Sequence, residues 1–443
     1  MSTTYSRRNV LKLLGAGASA AGLGGLVACA PSASNDSNDS NDTDDGGESA
    51  GGDSDGGGAQ DFSFSSWSLT EEAPKPVIQG MIDTFASDQG VSIDTVTYPY
   101  NEYLNQLTLQ VRGGQFSGAA QLDIAWLGAL AALGKLRDLG SYTEGIDYTP
   151  AALGAGSYDG QQLGLPWTIG AIGLVANSEL LQQAGITEAP QRIDDFEAAL
   201  VELKGLGNGV IPYAAMTKVA QLKDILIWMQ TFGSPIIEDG TVTIGDDASV
   251  EAVTWYKKLY DQGLIAPDVD RFDARALFGQ GKAAIYDDAV VGKSAVLADS
   301  PDPDLESKLD PMARPVLNAG DDPCAQLWGH VIAVVEGDGA DTAAEFAQWM
   351  TSDEATVIDF FDQLSLPPTT ETALASDSVA GDTFTAAFTE RITATATPNP
   401  FWQFPQYAQM ESAVAEQVQA VLVGSASPAE AMKAAGEAVQ GLI

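Results

Sequence analysis

From Asp61 to Ile443 the chain alternates short strand-like runs with amphipathic helical stretches, and that order leaves few architectures open. Phe62-Ser-Phe64-Ser-Ser-Trp67 alternates apolar and small residues as a strand does. A helical pattern follows from Pro76 through Ile78, Met81, Ile82 and Phe85 to a stop at Gly90. Val91 to Tyr98 reads as a second strand, and Asn101 to Val111 as a helix carrying Tyr103, Leu104, Leu107 and Val111. Leu122-Asp-Ile-Ala-Trp126 is a short apolar strand, after which Gly128 opens a small-residue helix from Ala129 to Leu136. This is a βαβα beginning, the signature of an α/β sheet with helices on its faces.

The remaining segments keep that rhythm. An extended stretch runs from Leu165-Pro-Trp167 to Asn177, followed by a helix from Ser178 to Ala184 and another from Asp194 or Asp195 to Lys204. Glu238-Asp-Gly240-Thr-Val-Thr-Ile244 predicts an exposed hairpin, because Asp-Gly suits a tight turn. Helical periodicity from Ser249 to Gln262 buries Val253, Tyr256 and Leu259. Phe278 to Tyr286 turns from a helix end into a strand, Trp328 to Val335 is a buried strand, and Asp341 to Met350 a helix. Two helices, Tyr407 to Val423 and Pro428 to Leu442, close the chain.

With 443 residues, 45% of them hydrophobic, the sequence has material for two lobes. Sixty-one acidic against twenty-one basic residues give a net charge of -40, which repels nucleic acid and anionic lipid and excludes nucleic-acid binding. Such an excess suits a halophilic protein, since concentrated salt shortens the Debye length to about 3 Å and screens the self-repulsion. An acidic mesophilic protein with a disordered tail is the alternative, but acids outnumber bases after Asp61 too. Two cysteines, Cys29 and Cys324, imply no disulfide framework, and the single histidine, His330, offers no metal-ligand cluster. No metal or cofactor is expected.

The first sixty residues form a separate block. Arg7-Arg8 stands before an apolar Gly/Ala-rich run from Val10 to Ala28, resembling a twin-arginine export signal. The run ends in Leu26-Val27-Ala28-Cys29, resembling a lipobox, so residues 1–28 read as a signal peptide and Cys29 as the lipidated residue. A retained membrane helix is the alternative, the run being nearly long enough to span. Residues 29–60 read as the lipidated cysteine and an acidic disordered linker, with a reach of roughly 30 Å as a flexible coil. Its triplets at Asn35, Asn38 and Asn41 match the N-glycosylation pattern, although a merely solvating spacer explains them equally well.

After these motifs, the order of segments from about Phe62 to Ile443 resembles family 1 extracellular solute-binding proteins, the group that contains maltose-binding protein. The similarity rests on Leu122-Asp-Ile-Ala-Trp126, Leu165-Pro-Trp167 through Val175-Ala-Asn177, and Phe278 to Ile285 with its Gly-x-Gly-Lys-Ala-Ala core. Phe346-Ala-Gln-Trp-Met-Thr-Ser352 and Gly424-Ser-Ala-Ser-Pro428-Ala-Glu-Ala431 add to it. The resemblance implies an α/β, two-lobed periplasmic-binding-protein-like fold of type II, each lobe an open sheet with flanking helices, hinged between lobes. Lobe 1 would comprise residues 61–170 and 329–367, and lobe 2 residues 171–328 and 368–443. Crossings are expected near Gly170 to Val175, Leu327 to Val334 and Leu366 to Thr370. It further implies a monomeric, non-enzymatic lipoprotein on the outer face of the cell membrane, delivering a solute to the permease of an ABC importer with its cytoplasmic ATPases.

Open α/β sheets bind ligands at the carboxyl ends of their strands. That rule selects Trp67, Ser68, Trp126, Trp167, Thr168, Asp287, Asp288, Trp328 and Trp402, with Tyr103 on the neighbouring helix. Indole beside carboxylate or amide suits a sugar, whose C–H faces pack on rings and whose hydroxyls need polar partners. Each tryptophan taken singly is as readily core, and Trp228, Trp255 and Trp349 lie within helical patterns that favour the core. Many relatives carry Gly-x-Trp after the strand corresponding to Ala283–Tyr286, where this chain has Asp287-Asp288-Ala289-Val290-Val291. The stacking platform is missing there, and two carboxylates leave a polyamine or other cationic solute as the alternative ligand. Anionic ligands fit less well with so few Lys and Arg. A glycoside hydrolase would need two acids about 5 to 10 Å apart across the scissile bond, but no nucleophile elbow, phosphate loop or dinucleotide fingerprint is present.

Overall fold

The computed structural model describes residues 58–298 and 300–443, so the Arg7-Arg8 run, Cys29, the expected linker up to residue 57 and the three asparagine triplets lie outside the described residues. Nine strands are hydrogen-bonded into one sheet: β1 (Phe62–Ser65), β2 (Ile93–Val96), β3 (Gly118–Asp123), β4 (Gly164–Asn177), β5 (Ile211–Ala214), β6 (Ala283–Asp288), β7 (Leu309–Met312), β8 (Ala325–Val335) and β9 (Ala396–Thr397). Their order is β2-β1-β3-β8-β4-β6-β5, with β7 also on β4 and β9 on β8. β1 runs parallel to β2 and β3, which crossover connections through the helices Pro74–Gln89 and Tyr100–Gly113 allow.

The molecule has two lobes because β4 is long enough to serve both. Its first residues, Gly164 to Pro166, pair with Val331 to Ala333 of β8 in the first lobe. Its last, Gly173 to Asn177, pair with β6 and β7 in the second. The register between β4 and β8 shifts between His330 and Val331, an irregularity that bends and twists paired strands. Beside it, a Cβ on Gly329 would lie 2.4 Å from the Thr168 carbonyl oxygen, so only glycine lets the two backbones approach there.

Each lobe buries its own aromatic core. In the first, Phe346 of the helix Ala340–Ser352 packs 5.4 Å from Phe62, 5.2 Å from Phe64 and 5.1 Å from Phe85. In the second, Trp255 lies 4.7 Å from Trp228 and 6.4 Å from Phe196, as the helical periodicity of 249–262 predicts. Turn chemistry is obeyed: Gly90 ends its helix at φ 67°, and Asp239 and Gly240, both at positive φ, close the hairpin Ile237–Glu238 with Thr241–Val242.

Three expectations shift. The strand expected to reach Trp126 stops at Asp123, whose carboxylate accepts the Ala125 amide at 2.9 Å and starts a 3₁₀ turn, Ile124–Trp126. The helix expected to reach Leu136 covers only Leu127–Ala131, because Gly134 at φ 66° turns the chain away. The chain also keeps to the first lobe past Leu366–Thr370: Thr369 donates to the Pro166 carbonyl at 2.7 Å, and Thr372 bonds Asp147. It reaches the second lobe near Asp382, which pairs with Lys293 at 2.8 Å, and the helix Thr383–Arg391 then packs on β7. Among the described residues no helix is long and apolar enough to cross a membrane.

Candidate functional site

Between the lobes lies a cavity of about 710 Å³, inside the range typical of small-molecule sites. Strand ends from both lobes meet on it, as the topology rule for open sheets requires. β1 delivers Trp67 and Ser68, β3 delivers Asp123 and Trp126, and β6 delivers Asp288. Trp167 of β4, Gln326, Trp328 and His330 of β8, and Trp402, Tyr407 and Glu411 near the C-terminal helices complete the wall.

Seven of the ten residues selected from sequence line this cavity: Trp67, Ser68, Trp126, Trp167, Asp288, Trp328 and Trp402. Tyr103, Thr168 and Asp287 do not. Tyr103 sits fully buried beneath the wall, its ring 5.2 Å from Trp67 and 5.7 Å from Trp126, and so supports the cavity rather than facing it. Thr168 is buried between the crossing strands. Asp287 points to the opposite face of β6 from Asp288, since successive strand residues alternate.

The two carboxylates do not stand free for a ligand. Asp287 accepts from Arg314 at 2.5 Å and from the Tyr213 hydroxyl, while Arg314 lies over the Trp228 ring at 4.3 Å. Asp288 is gripped by Arg275 through two bonds, at 2.6 and 2.9 Å, the fork geometry that suits guanidinium and carboxylate. Arg271 donates to the Asp287 carbonyl at 3.0 Å and pairs with Asp224. A cationic solute would have to displace an arginine from either carboxylate.

The indoles differ in how much of each faces the space. Trp167 is only 1% exposed and stacks on Phe360 at 4.5 Å, joined to the first-lobe core, and its ring N–H is buried without a partner. Trp67 is buried among Trp126 at 5.1 Å, Tyr100 at 5.6 Å and His330 at 4.9 Å, all steeply inclined edge-to-face contacts. Trp328 and Trp402 are half-buried. The Trp402 ring is oriented by its N–H donating to Glu411 at 3.2 Å, a carboxylate that also accepts from Asn399 at 2.9 Å and pairs with Lys223 at 3.2 Å.

Burial sets the protonation of the wall. It pushes the His330 imidazole down to about 3, so the ring is neutral, with Nδ1 3.3 Å from the Gln121 amide nitrogen. Burial raises Asp123, against the opposing pull of its hydrogen bonds from Ala125 and from Tyr100 at 3.1 Å and of the Lys223 charge. Asp224 is likewise raised by burial, with the Arg271 guanidinium opposing. The lining carries six carboxyl groups against three basic side chains. It therefore offers hydrogen-bond donors and acceptors beside ring faces, in a shell whose cations are already paired.

Sequence reading missed Tyr100, Gln121, Asp123, Arg271, Arg275, His330, Tyr407 and Glu411, all on the wall. Asp123 was within reach, since it ends the strand whose following indole was chosen. Arg271 and Arg275 gave no local signal, because their positions depend on the helix Arg271–Gly279 packing against β6.

A model of the family described as bacterial extracellular solute-binding protein matches residues 80–387. Curated relatives from Brucella abortus and Brucella suis, named as binding proteins, are 25% identical over 209 residues, 45% of this chain. The chain spans about half the length of those relatives, 51%. Among solved structures, the GacH receptor of Streptomyces glaucescens, determined unliganded and with acarbose, has a TM-score of 0.78 at 23% identity, covering 87% of this chain and 98% of that one. Maltose-bound MalE3 of Thermotoga maritima has a TM-score of 0.76 at 17% identity, with 87% and 100% covered. An ABC transporter solute-binding protein of Thermotoga lettingae, bound to α-D-tagatose, has 0.76 at 19%, with 87% and 99% covered. At these identities the likeness establishes the shared two-lobed fold.

Proposed function

The chain belongs to the family of bacterial extracellular solute-binding proteins, and from that premise we propose that it is the sugar-capturing receptor lipoprotein of an ABC importer. The observation that carries the sugar reading is the interlobe cavity, where half-buried indoles Trp328 and Trp402 stand beside Asp123, Gln121, Gln326 and Glu411. A neutral, hydroxyl-rich ring uses both kinds of surface, its C–H faces on the indoles and its hydroxyls on the polar groups. The acarbose, maltose and tagatose complexes of proteins with the same fold support this reading. Export through the paired arginines and anchoring through Cys29 would hold the receptor at the outer membrane face, with the linker letting it reach the permease.

Closure would be a hinge motion about the crossing strands, with residues 61–170 and 329–367 moving against 171–328 and 368–443, the stretch up to Asp382 staying with the first group. The test is a thermal-shift screen of residues 61–443 in molar salt against sugars, polyamines and anions. A sugar at about a hundred times its Kd should stabilise the fold by about 2.7 kcal/mol and be recovered unaltered. A shift with spermidine but with no sugar, or recovery of cleaved sugar, would refute the proposal.

A further inference from the structure

Phe272 is 60% exposed and Val219 41% exposed, yet both line the interlobe cavity. Scattered exposed apolar side chains need no explanation, but these two are held together by dedicated contacts. Lys218 pairs with Asp270 at 3.1 Å and with Asp273 at 2.5 Å, clamping the Val219 turn to the helix Arg271–Gly279. Thr217 donates its amide to the Val269 carbonyl at 2.8 Å and accepts the Val269 amide at its hydroxyl, at 2.9 Å. Beneath the ring, Arg275 lies 5.7 Å from the Phe272 centroid while its guanidinium is fixed by Asp288. One helix turn thus joins the buried Asp288 carboxylate to an aromatic ring open to the cleft.

We propose that Phe272, flanked by Val219, is the ligand-stacking platform of the second lobe, taking an apolar ring face of the solute in place of the absent strand-end tryptophan. This rests on the sugar-receptor reading. Trp67, Trp126 and Trp167 are all buried, so free ring surface on this cavity comes from Tyr100, Trp328, Trp402 and Phe272, and of these Phe272 is the most exposed. The guanidinium, itself fixed by Asp288, braces one face of the ring. A ring pre-positioned in this way loses little freedom when ligand arrives.

Phe272→Ala, Phe272→Leu and Phe272→Tyr in residues 61–443 separate the ring face from mere apolar bulk. Calorimetric titration with maltose, acarbose and D-tagatose in molar salt measures the effect. Phe272→Ala and Phe272→Leu should weaken the sugar that binds by about tenfold, within the range aromatic stacking contributes to base recognition, while Phe272→Tyr stays within about threefold. Melting temperatures should stay within about 1 °C, because the ring is mostly exposed. Phe272→Ala binding as tightly as the unmodified protein, or Phe272→Leu matching Phe272→Tyr, would overturn the platform while leaving the receptor reading intact. Failure of the unmodified protein to bind any sugar of the thermal-shift screen would overturn the sugar reading, and this inference with it.

Discussion

Replacing Trp167 by alanine tests whether a cavity-lining indole belongs to the ligand or to the fold. The ring is 1% exposed and stacked on Phe360 at 4.5 Å, so its removal opens a void between the first-lobe core and the cleft. Losing a buried Trp typically costs about 3 to 5 kcal/mol, which already includes the ring-stacking term. At about 2.1 cal/mol/K per residue, a folded region of about 390 residues unfolds with an entropy near 0.8 kcal/mol/K. A 4 kcal/mol loss then lowers Tm by about 5 °C if the region melts as one unit. Trp402→Ala is the contrast, because that ring is half-buried and sits at the cavity edge. It should lower Tm by less than about 2 °C while weakening sugar binding. Differential scanning calorimetry with parallel titration of the bound sugar reads both quantities. A Trp167→Ala protein with unchanged Tm and lost affinity would refute the assignment of that indole to the core.

Asp288→Asn leaves the half-buried Arg275 and Arg271 with less compensation and should cost up to about 3 kcal/mol in urea unfolding, less than the loss of a fully buried pair, whereas Arg137→Gln at the exposed pairs with Glu336 and Asp341 should cost less than about 1 kcal/mol. His330 titrates near 6.5 unfolded but is pushed down to about 3 in the fold, so below pH 6.5 the unfolded chain binds the extra proton and stability falls with pH. Its share reaches about 2 kcal/mol by pH 5, and His330→Gln should flatten the Tm-against-pH curve between 6.5 and 5 relative to the parent, against the opposite slope from the raised carboxyls of Glu71, Asp123 and Asp224. With a net charge of -40, melting temperature should climb steeply from dilute to molar salt; a flat profile would dismiss the halophilic reading.

The alternation of strand and helix was legible because each element buries one face, and the period of that face is written in the residues themselves. Phe62, Phe64, Met81, Ile82 and Phe85 therefore appeared as core from sequence and are core in the structure. What periodicity does not carry is which strand lies beside which. The neighbours of β4 are β6, β7 and β8, all more than a hundred residues further along the chain, and that placement decides that Asp288 faces the cleft while Asp287 faces Arg314. The strand-end indoles selected from sequence lie on one cavity, yet their depth was not visible, because Trp167 is covered by Phe360, which lies 193 positions later in a helix. The carboxylate pair misled for a related reason: a run of two acids carries no mark of the distant arginines that neutralise it.

That neutralisation bears on how such a receptor would signal that it is loaded. A ligand shifts an open–closed equilibrium only by its differential affinity for the two states, and moving from 1:99 to 99:1 needs about 5.5 kcal/mol of it. Were the wall charges unpaired, cleft closure would desolvate them with or without solute, and the cost would oppose closing in both cases. Here Asp288 is tied to Arg275, Asp224 to Arg271 and Glu411 to Lys223, each within the lobe that carries it or the helices packed on that lobe. The differential term then falls to groups that only a solute spanning the cavity can join: the polar side chains of Asp123 and Gln121 on the first lobe, and the exposed faces of Phe272 and Trp402 on the other side. On the proposed receptor reading, a solute too small to touch both sides would bind without favouring closure.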